Sequence, residues 1–475
     1  MEDSNGQIKS AGKTTLQPTI LVLFGITGDL SKRYILPALY HLVRDGLLPD
    51  DIEIIGVSRR EVPIKDILDA IKSRLQEKEK TYDQAALDRM QQIVKMYKMD
   101  LDDGDDYHAL LEFLNMLEEK HGVCMNRLYY LAIPPEAYQN VVKLLGKHQL
   151  NTSCQHGNAA TRLLVEKPFG FNEHSAQKLI DNINKQFKEK QVYRIDHYLA
   201  KETVQNILAF RLHNSIFESL WDNRFILRID IESKEAIDIE GRATFYEQTG
   251  ALRDFVQNHL MQLLAITTMQ NPKDISSDSI HKTRLKLLNE VEPIPKDKVS
   301  ERAVRGQYEG YRQEVNDPKS TIETFAALTL FINNKRWQGV PINIRTGKAL
   351  DEKKTTITVT FKHPEGTTHH PNILTFYIQP HEGIGVDLFV KKPGFADELE
   401  RVPMDFLFES RFDSHTHPDA YERVMVDAIR GDRTLFASSD EVLASWRIIE
   451  NVVTAWRASG DGLQLYKKGS TGPKL

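Results

Sequence analysis

The sequence predicts two different folds in tandem: an α/β domain built as a doubly wound parallel sheet over residues 18–193, and an α+β domain with a large, mainly antiparallel sheet and helices on one face over residues 194–475. Three observations carry this. At 475 residues the chain is too long for one simple core. Its first part alternates continuous apolar runs with helical periodicities. Beyond Arg194 the texture changes to strands with one polar face.

Composition excludes several classes of function. The chain carries 62 Lys and Arg against 67 Asp and Glu, a formal charge of -5, which gives no overall attraction for nucleic acid or acidic membranes. No apolar run approaches the roughly eighteen residues that a membrane span needs. The stretch from Met1 to Gln17 is polar and lacks the apolar core of a signal peptide. The two cysteines, Cys124 and Cys154, form no CxxC pair or metal-type cluster, so neither a metal site nor a disulfide framework is expected. A cytoplasmic protein with small-molecule partners is the expectation.

In the first domain, Thr19 to Phe24 is apolar throughout, as in a strand buried on both faces of a parallel sheet. It stops at Gly25-Ile26-Thr27-Gly28-Asp29-Leu30-Ser31-Lys32, and helical spacing follows through Leu36, Leu39, Tyr40 and Val43. Strand, glycine turn and helix is the context of a Rossmann-like dinucleotide site, although GxxG departs from the full GxGxxG. The next strand, Ile52 to Val57, ends in Ser58-Arg59-Arg60. An acid there bonds the ribose 2′-hydroxyl of NAD, whereas arginine suits the 2′-phosphate of NADP. A pair of surface arginines after a strand explains the same residues, and the missing acid tilts the choice of cofactor to NADP. Helices at Lys65–Gln76, Asp83–Val94, Tyr107–Glu119 and Ala137–His148 alternate with a short segment at Met96–Met99 and strands at Arg127–Ile133 and Arg162–Val165. Gly25, Arg59, Pro134 and Lys167 all fall at strand carboxyl ends, where ligands bind in such sheets. Lys167 precedes Pro168 and belongs either to a cis peptide or to a simple turn.

In the second domain, Phe225–Glu232, Thr355–Phe361 and Asn372–Ile378 alternate, Phe325–Ile332 is an apolar run, and Gly250–Thr268 and Ala420–Ile429 read as helices. That domain opens on Arg194-Ile-Asp-His-Tyr-Leu-Ala-Lys-Glu202, followed by helical spacing at Val204, Ile207, Leu208 and Leu212. If a helix begins here, His197 and Lys201 share a face beside Tyr198, a good trap for a dianion near a helix N-terminus. A solvated helix start explains the same residues. Asp196 fits a phosphate trap poorly and is better used to orient a histidine, for which His259 is the candidate.

The stretch Arg194 to Glu202 resembles the active-site signature of the glucose-6-phosphate dehydrogenase family. In that family's order stand Gly25-x-x-Gly28-Asp29-Leu30, Glu166-Lys-Pro-Phe-Gly170, Glu240-Gly-Arg242, Arg253-Asp254-x-x-Gln-Asn-His259, Arg345-Thr-Gly-Lys348, Lys391-Lys-Pro-Gly394, Pro418-Asp-Ala-Tyr-Glu-Arg423 and Gly469-Ser-x-Gly-Pro473. The resemblance runs from about residue 18 to the end. It implies oxidation of D-glucose 6-phosphate at C1 to the 6-phospho-lactone with reduction of NADP, the first step of the oxidative pentose phosphate route. It further implies His259 as general base, oriented by Asp196, and His197, Tyr198 and Lys201 as phosphate binders. Lys167, Glu235, Asp254, Lys348 and Lys353 correspond to further substrate contacts, and Gly25 through Lys32, Arg59 and Lys167 to cofactor contacts. No metal is implied, and a homodimer or homotetramer is. The chain lacks the longer C-terminal segment of animal-type relatives and carries Tyr377 where they have an arginine, which points to a bacterial-type enzyme. A sugar dehydrogenase of the glucose–fructose oxidoreductase type would not need the phosphate grip, and a nucleotide sensor would not need the base.

Overall fold

The structure is a computed structural model that describes residues 16–154, 159–363, 370–411, 418–458 and 462–474. The reading of the amino terminus therefore lies largely outside the described residues. The chain divides into two compact units, one of Met1–Lys167, Asp181–Ile195 and Tyr421–Arg433, the other of Pro168–Ile180, Asp196–Ala420 and Thr434–Leu475. The Ala420–Arg430 helix, which the sequence reading places in the second domain, thus falls largely in the first unit. There Ile429 O accepts from Arg162 Nη1 at 3.2 Å, and Glu422 Oε1 lies 2.7 Å from His41 Nδ1. Among the described residues no helix is long and apolar enough to cross a membrane.

In the first unit six strands lie parallel: β1 (Thr19–Phe24), β2 (Ile52–Ser58), β3 (Val94–Lys98), β4 (Asn126–Leu131), β5 (Thr161–Val165) and β6 (Val192–Ile195). Their order is β3-β2-β1-β4-β5-β6, the doubly wound arrangement in which strand order reverses beside β1. β1, β2 and β4 are buried along their whole length, which explains the apolar run of β1, while the buried Glu53 of β2 and Arg127 of β4 are met by Lys95 and Glu118. Between β1 and β4 the loops leave in opposite directions. There Gly25, at φ +83°, brings its backbone so close to Ala132 that a Cβ would stand 2.4 Å from the carbonyl oxygen. Only glycine fits that turn.

Cys124 and Cys154 are joined as a disulfide, with Cα atoms 5.9 Å apart, contrary to the expectation from their spacing. They sit just ahead of β4 and β5, parallel neighbours in register from Arg127 against Thr161, so the sheet brings together what 30 residues of sequence separate. Among the described residues the cis peptide is Gln379–Pro380, not Lys167–Pro168.

Among the described residues the second unit holds a nine-stranded sheet. Its strands include β7 (Ile226–Lys234), β8 (Ala303–Tyr308), β9 (Phe325–Leu330), β10 (Ile342–Gly347), β11 (Lys354–Phe361), β12 (Ile373–Gln379), β13 (Gly383–Lys391) and β14 (Leu399–Leu407), and Leu463–Tyr466 closes the edge beside β8. Pairing is antiparallel except between β7 and β10 and between Leu463–Tyr466 and β8. Register places one set of residues at one end of the sheet. β7 and β10 run parallel and finish there, at Lys234 and Gly347, β11 starts there at Lys354, and β12 returns to it at Gln379 opposite Thr355.

The expected Gly250–Thr268 helix is broken. A helix at Ala243–Ala251 kinks at Gly250, where φ is 64° and ψ 177°, then Leu252–Leu260 winds as a π-helix before Met261–Thr268 resumes α geometry. Periodicity misses this because the apolar spacing survives the change of winding. The kink has a cause in Glu323, whose Oε1 accepts from Leu252 N at 3.1 Å. A Cβ on Gly250 would stand 2.4 Å from that same oxygen. Such π segments recur at functional sites because they rotate the residues that follow. Gly250→Ala is expected to destabilise the fold by about 1–3 kcal/mol, the usual cost of a side chain forced into this glycine-only region. A urea midpoint equal to that of the parent would contradict this origin of the kink.

Candidate active site

The signature stretch is not helical at its start. Residues 196–201 form turns, with Leu199 N bonded to Asp196 O at 3.1 Å and Lys201 N to Tyr198 O at 3.2 Å. The helix begins only at Glu202, with Lys201 as its cap. His197 and Lys201 therefore do not share a helix face as the spacing predicts. The tight turn gathers them instead.

It also turns Asp196 inward. The carboxylate is 3% exposed, and its Oδ1 accepts from Tyr198 N at 2.9 Å and lies 2.7 Å from Nδ1 of His259, which is fully buried on the π segment. A carboxylate can only accept here, so Nδ1 carries the hydrogen and Nε2 is left as the basic nitrogen. Burial alone would raise the Asp196 carboxyl. The neighbouring His259, together with His197 and the Tyr198 N–H, outweighs it and holds the group well below the usual carboxylate range. Aromatic rings wall the imidazole in, with Tyr198, His197 and Phe255 centred 4.5, 4.6 and 5.1 Å from the His259 ring.

Beside this pair Lys201 Nζ donates to Gln379 Oε1 at 2.5 Å and stands 5.0 Å from the centre of the Tyr198 ring. Burial pushes the Lys201 ammonium down to about 8, with Glu382 and Asp419 pulling upward and Lys353 pushing down. Tyr198 is raised to about 12 by burial, so its phenol stays a neutral donor. Gln379 was not foreseen from the sequence. Its Nε2 also reaches Tyr198 Oη at 3.2 Å and Thr355 Oγ1 at 2.9 Å, so one amide ties together the phenol and the ammonium. The only local sign was its place before Pro380, at the end of an alternating strand.

The rest of the sheet end supplies an acid and two bases. Glu235 follows β7 and Lys348 follows β10, and because these strands run in parallel Glu235 N meets Gly347 O at 3.0 Å and Lys348 Nζ meets Glu235 Oε2 at 2.6 Å. Lys353 is exposed at the start of β11, within electrostatic reach of Lys201. Asp254, half-buried on the π segment, acts electrostatically on Tyr246 together with Glu235.

In the first unit the loop after β1 has two roles. Ile26 is fully buried and Ser31 Oγ donates to Gly25 O at 2.9 Å, so these two side chains hold the turn. Thr27, Asp29 and Lys32 are exposed, with Gly28 and Leu30 half-buried between them. Arg59 is exposed after β2, and among the described residues its guanidinium has no hydrogen bond or ion pair. A glycine turn ahead of a helix and an uncommitted guanidinium fit a dinucleotide with a phosphorylated ribose. Lys167 is half-buried two residues beyond β5.

A dinucleotide turn on one unit implies redox chemistry, and a dry imidazole–carboxylate pair on the other is equipped to take a proton from a hydroxyl. The chain is an oxidoreductase that uses a nicotinamide dinucleotide. Comparison with known proteins narrows that class. Residues 22–206 match the family model for the NAD binding domain of glucose-6-phosphate dehydrogenase, and residues 208–475 match the model for its C-terminal domain. The chain belongs to the glucose-6-phosphate dehydrogenase family. It is 38% identical over 494 residues to glucose-6-phosphate 1-dehydrogenase of Chlamydia muridarum, covering 98% of this chain and 96% of that one. With the Bacillus subtilis protein of the same name it shares 38% over 481 residues, covering 97% and 96%. Among solved structures, glucose-6-phosphate dehydrogenase in complex with its substrate glucose-6-phosphate superposes with a TM-score of 0.89 at 31% identity, covering 97% of both chains. The Mycobacterium avium enzyme superposes at 0.82 with 31% identity, covering 96% of both.

Proposed function

We propose that this enzyme oxidises D-glucose 6-phosphate to 6-phospho-D-glucono-1,5-lactone with NADP as acceptor, the entry reaction of the oxidative pentose phosphate route. The observation that carries the mechanism is the buried 2.7 Å contact of His259 with Asp196. NADP supplies the hydride acceptor when bound. His259 Nε2 takes the proton of the C1 hydroxyl as the C1–H bond breaks, and Asp196 stabilises the imidazolium that results. The acid–base term is worth about 10²–10⁴-fold in rate. The aromatic wall excludes water, which strengthens the interaction of imidazolium and carboxylate.

His197, Tyr198 and Lys201 grip the remote phosphate, with Gln379 holding the last two in register, and the energy of that grip positions C1. Glu235, Asp254, Lys348 and Lys353 contact the sugar side. Gly25 through Lys32 receive the pyrophosphate, Arg59 reads the 2′-phosphate, and Lys167 lies on the nicotinamide side. A homodimer or homotetramer is supported by the sheet's β13–β14 side, where Val390, Leu399, Met404 and Phe406 are exposed. A cytoplasmic setting fits a substrate of this kind.

Lys201 gives a pH dependence with a definite sign. Its charge is present below pH 8 and is lost as pH rises through that value, so kcat/KM for glucose 6-phosphate falls along an alkaline limb near 8. A bound dianion favours the ammonium, so kcat at saturation is spared. Lys201→Arg, charged throughout, moves the limb to higher pH, and a limb left in place would assign it to another group. The function itself is tested by one steady-state assay that crosses glucose and glucose 6-phosphate with NAD and NADP. Efficient turnover is expected only with the phosphorylated sugar, and equal efficiency with glucose would overturn the reading. In the same assay Arg59→Ala should raise KM for NADP roughly 10- to 150-fold, the range of a lost hydrogen bond to a charged group, and leave NAD within about twofold. Parallel losses would mean that Arg59 does not read the 2′-phosphate.

A further inference from the structure

Against Asp196 lies a small cavity of about 10 Å³, lined in part by Asp196, Gln257, Asn258, Gln262 and Ser445. Two atoms of these lining residues, Asp196 Oδ2 and Gln262 Oε1, are fully buried and among the described residues have no hydrogen-bond partner. Gln262 itself is only 3% exposed, on the first turn of the helix that follows His259. Both atoms are acceptors, so neither can satisfy the other. Leaving a buried charged acceptor unmet forfeits its solvation without return, so such atoms are almost always partnered. A cavity of this size holds one water when at least two polar groups converge on it.

We propose that one buried water is part of the catalytic apparatus, donating one hydrogen to Asp196 Oδ2 and the other to Gln262 Oε1, and that Gln262 is therefore a positioning residue for the Asp196–His259 pair. The proposal rests on the assignment of that pair as the base. The remaining lining groups suit it. Gln257 Nε2 spends one N–H on Val442 O at 3.4 Å and keeps a second for the water oxygen. Ser445 gives its hydrogen to Glu441 O at 2.8 Å, so it has none to offer Asp196 Oδ2 or Gln262 Oε1 in the water's place. The groups that face Asp196 electrostatically are His259, His197 and the Tyr198 N–H on the other side. The polar residues lining the cavity around Asp196 are neutral, so no charge there can replace the water.

The consequence has a sign. Oδ1 already receives two hydrogen bonds, and the water supplies the second half of the carboxylate's solvation. Without its anchor, the pair with neutral His259 carries an under-solvated negative charge, and taking up a proton relieves it. The pair then holds its proton to higher pH. Gln262→Met keeps length and volume but has no oxygen, and Gln262→Leu serves if that variant does not fold. In either variant the acid limb of kcat/KM should move upward by about 0.5–1 pH unit, with KM for glucose 6-phosphate nearly unchanged. A purely structural role would lower kcat and stability and leave the limb in place. His259→Asn is the control, since its residual activity should lose the acid limb. An unmoved limb in the Gln262 variants, with the limb abolished in His259→Asn, would overturn this inference alone. Survival of the limb in His259→Asn would overturn the base assignment and this inference with it.

Discussion

The contact between His259 and Asp196 is the constraint on which the second unit is built. It joins residues 63 apart, both removed from water, and neither segment could hold its partner by local structure. A carboxylate buried without compensation would be protonated or would unfold its surroundings. Here the imidazole, a backbone N–H and, on our proposal, a buried water divide the work of solvating it. The price is geometric: the chain must turn inward at Asp196 and the helix bearing His259 must be rewound.

Those two demands explain the irregular features nearby. Turns at 196–201 delay the helix to Glu202 so that Asp196 points in while Lys201 and Tyr198 reach Gln379. Gly250 and Glu323 break the preceding helix and start the π segment that carries Asp254 and His259. The sheet contributes differently. A parallel pair flanked by antiparallel neighbours delivers Glu235, Lys348, Lys353 and Gln379 to one end through register alone. Chemistry thus sits where regular structure is interrupted, and binding groups sit where it stops.

Much of this was legible in the sequence, and the misses have physical reasons. The buried strand β1 read as a continuous apolar run, and the glycine turn after it was visible because the conformation excludes other residues. Asp196 as partner of His259 followed from the awkwardness of an acid in a phosphate trap. The helix break at Gly250 was hidden, because Leu252, Phe255, Val256, Leu260, Leu263 and Leu264 recur at α-helical spacing even where the backbone winds as a π-helix. β6 was missed because four residues are too few to show a period. Gln379 and Gln262 carry no charge and have no motif of their own, so only their neighbours in space reveal them. The Cys124–Cys154 pair was misjudged for a similar reason: parallel strand starts are adjacent in space however far apart in sequence.

The central claim is that Asp196 acts through its charge on His259, not merely through its shape. The most direct measurement is kcat of Asp196→Asn with glucose 6-phosphate and NADP at saturation, beside the dissociation constant of the sugar phosphate. Asparagine fills the same space and can still accept from Nδ1, but it carries no charge to stabilise an imidazolium. The account predicts a fall in kcat of about 10²–10⁴-fold with sugar-phosphate affinity nearly unchanged. Turnover within about threefold of the parent, less than 1 kcal/mol of barrier, would contradict it.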